Sequence, residues 1–452
     1  MLLLVGELAL IYFGYLITLF LFKRIHLLQR LAYSFLFGTA LYSLALFGFS
    51  IFKGRITTIN VFAILSILIA FLQLLVFIKK VKLENWEKSF IHGFRKLNKV
   101  EIYLLIIFLL LFLGSLVLAT YWPVYEWDAL ALYDFRGRVI AQTGELLGTI
   151  GKTEYFSHYP PATSILHAFV YLLGGKNPQY IYPFYYLSFL FVFYFQLLRI
   201  SNRKTSLFVT LILASTPIFF THSTFAYTNL PYAIYFFIGT IYAYLFIVEN
   251  KISYLLVAAI STGLTTWMRG FEPFWASNLV FLVSVYFLKR DFKKLHIYAL
   301  YPLIFFPIQQ LWSVYLEKFL GKWYSAVGVI SRGISTVFTK LSLAKIISIS
   351  MYIYYNIILP WGVLSLLFLA IAAREVAQIK KDNRKYLLLI ITINLAALIG
   401  GTYFFSLTVK DWDKIPDSAR RMAMIFTPLL IYYIGGSKYM KEVVKIFDRI
   451  FS

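Results

Sequence analysis

A chain of 452 residues that is 60% hydrophobic and 20% aromatic, with only 14% charged side chains, cannot cover itself with polar surface; ordinary soluble domains carry about 25% charged residues. Much of its outside must therefore face lipid, and with no cysteine it has no disulfide framework, thiol nucleophile or thiolate metal site. The net charge of +23 reads as basic residues crowding the cytoplasmic ends of membrane helices, not as a nucleic-acid surface, and no nucleic acid is expected as a partner.

A spanning helix needs about 20 mostly apolar residues. Thirteen stretches qualify, near 2–22, 31–52, 59–78, 102–120, 180–198, 205–222, 230–248, 253–268, 272–288, 296–316, 346–373, 386–406 and 422–436. Backbone groups must be satisfied within lipid, and the alternating segments of a barrel are absent, so the expected fold is an all-α integral membrane bundle of these 13 helices. The first run, Leu2 to Phe22, lacks the basic start and small-residue cleavage site of a signal peptide.

The segment 162–173, ATSILHAFVYLL, is apolar but short and follows Pro160-Pro161. Positive charge decides its role. If it does not span and the N-terminus lies outside, 27 of the 43 Lys and Arg fall inside and 16 outside; if it spans, the split is 21 and 22. The first arrangement carries the expected bias, which makes 162–173 an interfacial or re-entrant helix on the outer side. It also makes 121–179, 317–345 and 407–421 external loops, and long loops in compact proteins are often functional. The basic stretch 79–101 is the largest inner loop. It suggests three parts: residues 1–101 as three added helices with that loop, 102–436 as the main module, and 437–452 as a basic amphipathic tail on the cytoplasmic surface.

The first outer loop begins YWPVYEWDALALYDFRGRV, with Glu126, Asp128 and Asp134 within nine residues and Arg136 and Arg138 just behind them. Helical periodicity over 128–142 makes Asp128 a candidate N-cap. Acids beside an apolar surface are desolvated, which moves them toward a general-base range, and guanidiniums can fork onto a phosphate. His158 and Tyr159 precede the double proline. Further along, WMRGFEP places Arg269 and Glu272 in a tight turn, and DWDKIPDSARRMAM places Asp411, Asp413, Asp417, Arg420 and Arg421 at the entrance of the last helix. Two carboxylates spaced as in DWD can hold a hard cation, although no metal site is assigned. Phosphate-loop, HExxH and GxSxG motifs are all missing.

With these residues in view, the chain resembles the GT-C superfamily of membrane glycosyltransferases. It looks closest to the branch of dolichyl-phosphate-mannose–protein mannosyltransferases, their bacterial and archaeal relatives, and lipid A aminoarabinose transferases. The resemblance covers roughly 102–436 and rests on WPVYEWDALALY, SHYPPATSILHAFVYLLGG, RGFE and ARRMAMIFTPL. Two positions depart from the pattern. Trp127 separates Glu126 from Asp128 where relatives often carry adjacent acids, and Asn229 stands in AYTNLPY where an aspartate is often found.

The resemblance implies a multi-pass enzyme in a prokaryotic cell membrane with its active site on the outer face. The donor would be a sugar on a polyprenyl phosphate, and the acceptor a protein, lipid or glycan. Asp128 would act as general base, with Glu126 its alternative. Arg136, Arg138, Arg269, Arg420 and Arg421 would hold the leaving phosphate, and His158, Tyr159, Glu272 and Asp134 would orient sugar or acceptor. No soluble cofactor is implied. The competing readings are a lipid-linked-sugar flippase or transporter, and a polymerase or ligase using a lipid diphosphate.

Overall fold

The computed structural model describes residues 1–81, 97–146, 159–270, 275–290, 292–320, 342–376, 383–408 and 411–451. Among them every regular element is helical. Nine stretches are long and apolar enough to cross a membrane: Leu2–Leu21, Leu27–Ile51, Thr58–Ile78, Lys99–Tyr121, Pro178–Leu197, Asn229–Glu249, Leu295–Lys318, Leu343–Trp361 and Arg384–Leu407. This is the architecture of an α-helical membrane protein.

The chain forms two compact units, Met1–Leu230 with Met440–Ser452, and Pro231–Tyr439. The first begins with α1 (Leu2–Leu21), α2 (Leu27–Ile51), α3 (Thr58–Ile78) and α4 (Lys99–Tyr121). Glycine sets the approach of α1 to α2: a Cβ on Gly14 would lie 1.8 Å from the Ser34 carbonyl oxygen, so only glycine lets these backbones meet. Asn98 and Glu101 close a capping box at the start of α4, and Arg203 pairs with the Glu101 carboxylate. A π-helical turn, Ala129–Asp134, then leads into α5 (Phe135–Thr143), which ends on Gly144 in the left-handed region. Next come α6 (Ala162–Leu172), α7 (Ile181–Leu197), α8 (Arg203–Ala214) and α9 (Pro217–His222). The stretch expected to span at 205–222 is thus broken before Pro217, whose ring cannot continue a helix already under way.

Helix α6 has 11 residues, too few to cross, and Ala162–Val170 are all buried within this unit. The first three helices are packed into the same unit. Thr58 Oγ1 donates to the Leu172 carbonyl at 3.0 Å, Ile56 N–H donates to the Gly144 carbonyl at 2.9 Å, and Arg55 pairs with Glu145.

The second unit contains α10 (Asn229–Glu249), which starts at the end of the first, then α11 (Ile252–Met268), α12 (Trp275–Lys289), α13 (Leu295–Leu320), α14 (Leu343–Ile353), α15 (Leu359–Trp361), α16 (Val363–Val376), α17 (Arg384–Thr408) and α18 (Pro416–Gly435). A π-helical turn, Tyr354–Ile358, joins α14 to α15, and Gly362, at φ 45°, separates α15 from α16, so the long apolar run expected at 346–373 breaks after Trp361. The tail helix α19 (Lys438–Phe451) turns one face inward: Met440 and Val444 are buried, and Phe447 packs on Phe208 of α8 at 5.3 Å.

Candidate functional site

Helix α4 ends in the open. Tyr121, Trp122, Tyr125 and Trp127 are all exposed, Trp127 to 75%, and they surround the half-buried Glu126 and Asp128. Amphipathic rings of this kind sit at a membrane–water boundary. Asn177 fastens the end of α4 by donating to the carbonyls of Ala119 and Trp122 at 3.0 and 2.9 Å. Asp128 occupies the expected N-terminal position of the following helix, but its backbone is already helical and its side chain makes no cap hydrogen bond. The capping role expected of it is therefore not seen. Desolvation, then the neighbouring Glu126 carboxylate, pushes the Tyr125 phenol up from its ordinary value.

A few residues on, the character of the loop inverts. Asp134 is fully buried, with both carboxylate oxygens engaged. Tyr171 Oη donates to Oδ1 at 2.6 Å, Arg138 Nε donates to Oδ2 at 2.8 Å, and His167 Nδ1 stands 3.3 Å from Oδ1. The other ring nitrogen of His167, Nε2, lies 3.1 Å from the buried Tyr182 hydroxyl. Burial alone would raise the Asp134 pKa; the His167 imidazole, then Tyr171 and Arg138, outweigh it and hold the carboxyl at about 2. An acid so firmly ionised and so fully bonded makes a poor proton acceptor. It ties α5 to α6.

Arg136 is likewise turned inward. Its Nε donates to Ser164 Oγ at 2.8 Å, Nη1 to the Tyr159 carbonyl at 2.9 Å, and Nη2 to the Pro160 carbonyl at 2.8 Å. Burial lowers its pKa to about 10, which still leaves a cation at neutral pH. With its fork on backbone carbonyls, Arg136 holds the proline turn. Gly137 makes the arrangement possible: a Cβ there would come within 2.7 Å of His167 Cβ, so α5 and α6 touch along this glycine. Tyr159 contributes its carbonyl to Arg136 and its ring to Tyr133, at 5.8 Å between centroids. Arg138 differs from Arg136 in keeping about half of its side chain in solvent while it pairs with Asp134.

The remaining expected residues fall elsewhere. Arg269 ends α11 in extended backbone and is half-buried; Arg420 is exposed and Arg421 half-buried on α18. All three belong to the second unit. In the DWD segment Trp412 is buried against Tyr352 at 4.8 Å, while Asp411 pairs with Lys414 at 3.1 Å and Asp413 is exposed. Among the described residues no group of three or more His, Asp or Glu is arranged to hold a metal ion. His158 and Glu272 lie outside the described residues, as does the side chain of Asp417.

Sequence reasoning passed over His167, Tyr171 and Tyr182. A signal for two of them was present: Asp134 and Arg138 are four apart, as are His167 and Tyr171, and each such pair shares one helix face. Within the first unit, then, two half-exposed acids sit among exposed aromatic rings, and a rigid buried brace follows immediately behind them. No protein-family model, curated protein or solved structure matches this chain.

Proposed function

We propose that this chain is an inverting glycosyltransferase of the GT-C type. It would take a sugar from a polyprenyl phosphate to an acceptor on the outer face of a prokaryotic cell membrane, within a bundle of about 13 spans. The observation that carries this reading is the placement of Glu126 and Asp128. Both acids are partly exposed, at the point where an apolar helix ends among exposed rings. A lipid-borne donor delivers its reacting carbon at that depth, and the acceptor arrives from water.

In the proposed reaction Asp128 takes the proton of an acceptor hydroxyl while its oxygen attacks the anomeric carbon. The bond from that carbon to the phosphate oxygen breaks, the electron pair leaves with the phosphate, and configuration inverts. Arg138 is the phosphate-facing cation of this loop, since part of its side chain stays in solvent. Its pairing with Asp134 fixes its direction. The brace supplies rigidity, so that the acids are held in place before substrate binds.

The test is mass spectrometry of purified protein incubated with a series of polyprenyl-phosphate sugars and acceptors. Free polyprenyl phosphate and a glycosylated product are expected. Asp128→Asn should lower turnover by about 100- to 10,000-fold, the range for loss of a general base, with unchanged folding. Wild-type turnover in that variant would reject the base assignment.

A lipid-linked-sugar transporter is a second reading, favoured by buried polar groups in the helices of the second unit, where Thr240, Asn278, Thr262 and Tyr301 form one hydrogen-bonded chain. Movement of lipid-linked sugar across vesicles without transfer would select it.

A further inference from the structure

A cavity of about 800 Å³ lies along the first helices, far in sequence from the acids of the loop. Its size falls in the range of ligand clefts, about 300–1,000 Å³. Leu8, Ile11, Leu16 and Leu19 of α1 form one wall, and Val76 and Phe77 of α3 form the opposite one. The walls are almost wholly apolar, with one polar rung where Gln73 Nε2 donates to the Tyr12 hydroxyl at 3.0 Å. Leu8 to Leu19 covers about 16 Å at about 1.5 Å per helical residue. That length is close to the depth of one leaflet, half of a hydrocarbon core about 30 Å thick.

One end of this groove is strongly cationic. Lys80 belongs to its lining, and Lys79 precedes it with Nζ 5.8 Å from the centre of the Phe20 ring. That contact brings the C-terminal ends of α1 and α3 to one level. Lys23 and Arg24 follow directly after α1, and all four cations are exposed. Lys80 has φ 46°, a left-handed residue that stops α3 at this level. The buried Arg30 donates to the Thr18 carbonyl at 3.1 Å and to the Phe22 carbonyl at 3.4 Å, so the end of α1 has its own cap and does not consume the exposed cations.

We infer that the groove between α1 and α3 is a binding site for an anionic glycerophospholipid. One acyl chain lies along the apolar walls, and the phosphate meets the cations at the ends of the two helices. The occupant follows from three features: length matched to one leaflet, apolar walls, and a cationic end where Lys80 lines the groove and Lys79, Lys23 and Arg24 lie at the ends of α1 and α3. A neutral lipid satisfies the first two alone; a soluble anion satisfies only the last. The inference is independent of the glycosyltransferase reading, because it uses none of the residues of the acidic loop.

The test uses the full chain in mixed micelles containing phosphatidylglycerol or phosphatidylcholine with identical acyl chains, and counts retained lipid by native mass spectrometry. Phosphatidylglycerol should be retained selectively. The double variant Lys79→Gln/Lys80→Gln should weaken retention about fivefold per cation removed, the scale of one lysine near an anionic surface. Ile11→Trp, which fills the groove and leaves the charges, should lower retention as well. Lys293→Gln/Lys294→Gln, in the second unit, should leave it unchanged. Melting and gel-filtration profiles establish that each variant is folded. Equal retention of the two lipids, an Ile11→Trp variant that binds like wild type, or an equal loss in the Lys293/Lys294 control would overturn the proposal.

Discussion

Each unit buries a polar network, and the two networks are built from different chemistry. In the first unit it is ionic: Asp134 with Arg138, His167 and Tyr171, beside Arg136 on the carbonyls of Tyr159 and Pro160. In the second it is neutral: Thr240 Oγ1 donates to Asn278 Oδ1, Asn278 Nδ2 donates to Thr262 Oγ1, and Tyr301 Oη donates to the same hydroxyl. Ser277 adds a hydrogen bond to Asn394. The ionic network belongs to short helices behind a loop, where Arg138 still reaches solvent. The neutral network links four apolar helices, where an unpaired charge would be far more costly than a hydroxyl. Removing one member should therefore have very different consequences in the two places.

The sharpest way to break the comparison is Asp134→Ala. It leaves Tyr171, His167 and Arg138 without their shared carboxylate and should destabilise the first unit by about 3 kcal/mol, the upper end of the cost of unpairing buried hydrogen-bond donors. Unfolding in mixed micelles measures it, and a loss below about 1 kcal/mol, the scale of an exposed pair, would show that the network is not needed.

Acid should act on the same residue. Its folded pKa, about 2, lies below the ordinary 3.8, so its contribution is complete above the unfolded value and is lost as pH falls from about 4 to about 2. The wild type should lose about 2 kcal/mol across that window, and Asp134→Asn should lack this component.

Tyr182→Phe removes one neutral partner of His167 and should cost about 1 kcal/mol. The smallest effect belongs to the second unit. Tyr301→Phe deletes one hydroxyl of the neutral chain and should cost about 0.6 kcal/mol, the average for hydrogen bonds between membrane helices. A larger loss at Tyr301 than at Asp134 would reverse the comparison.

Topology can be tested separately, because the chain contains no cysteine. Lys176→Cys should react with an impermeant reagent outside the cell and Lys23→Cys should not. Both side chains are exposed at described positions.

Composition and hydropathy determined the class of this protein: all helices, many of them long enough for a bilayer. Lipid solvates only apolar surface and tolerates no open backbone, so a local pattern is enough to read that much. The loop after α4 was legible too, because carboxylates and arginines just past a span stand out against an apolar background. Which of those charges face water was not legible. Glu126, Asp128, Asp134, Arg136 and Arg138 read as one cluster along the chain. Packing divides them, because Gly137 lets α6 close over one side and enclose Asp134 and Arg136 while Glu126 and Asp128 remain at the rim. Burial depends on what arrives from elsewhere in the sequence, here His167, Tyr171 and the carbonyls of Tyr159 and Pro160. Only the tertiary structure decided which acids keep water and which hold the fold.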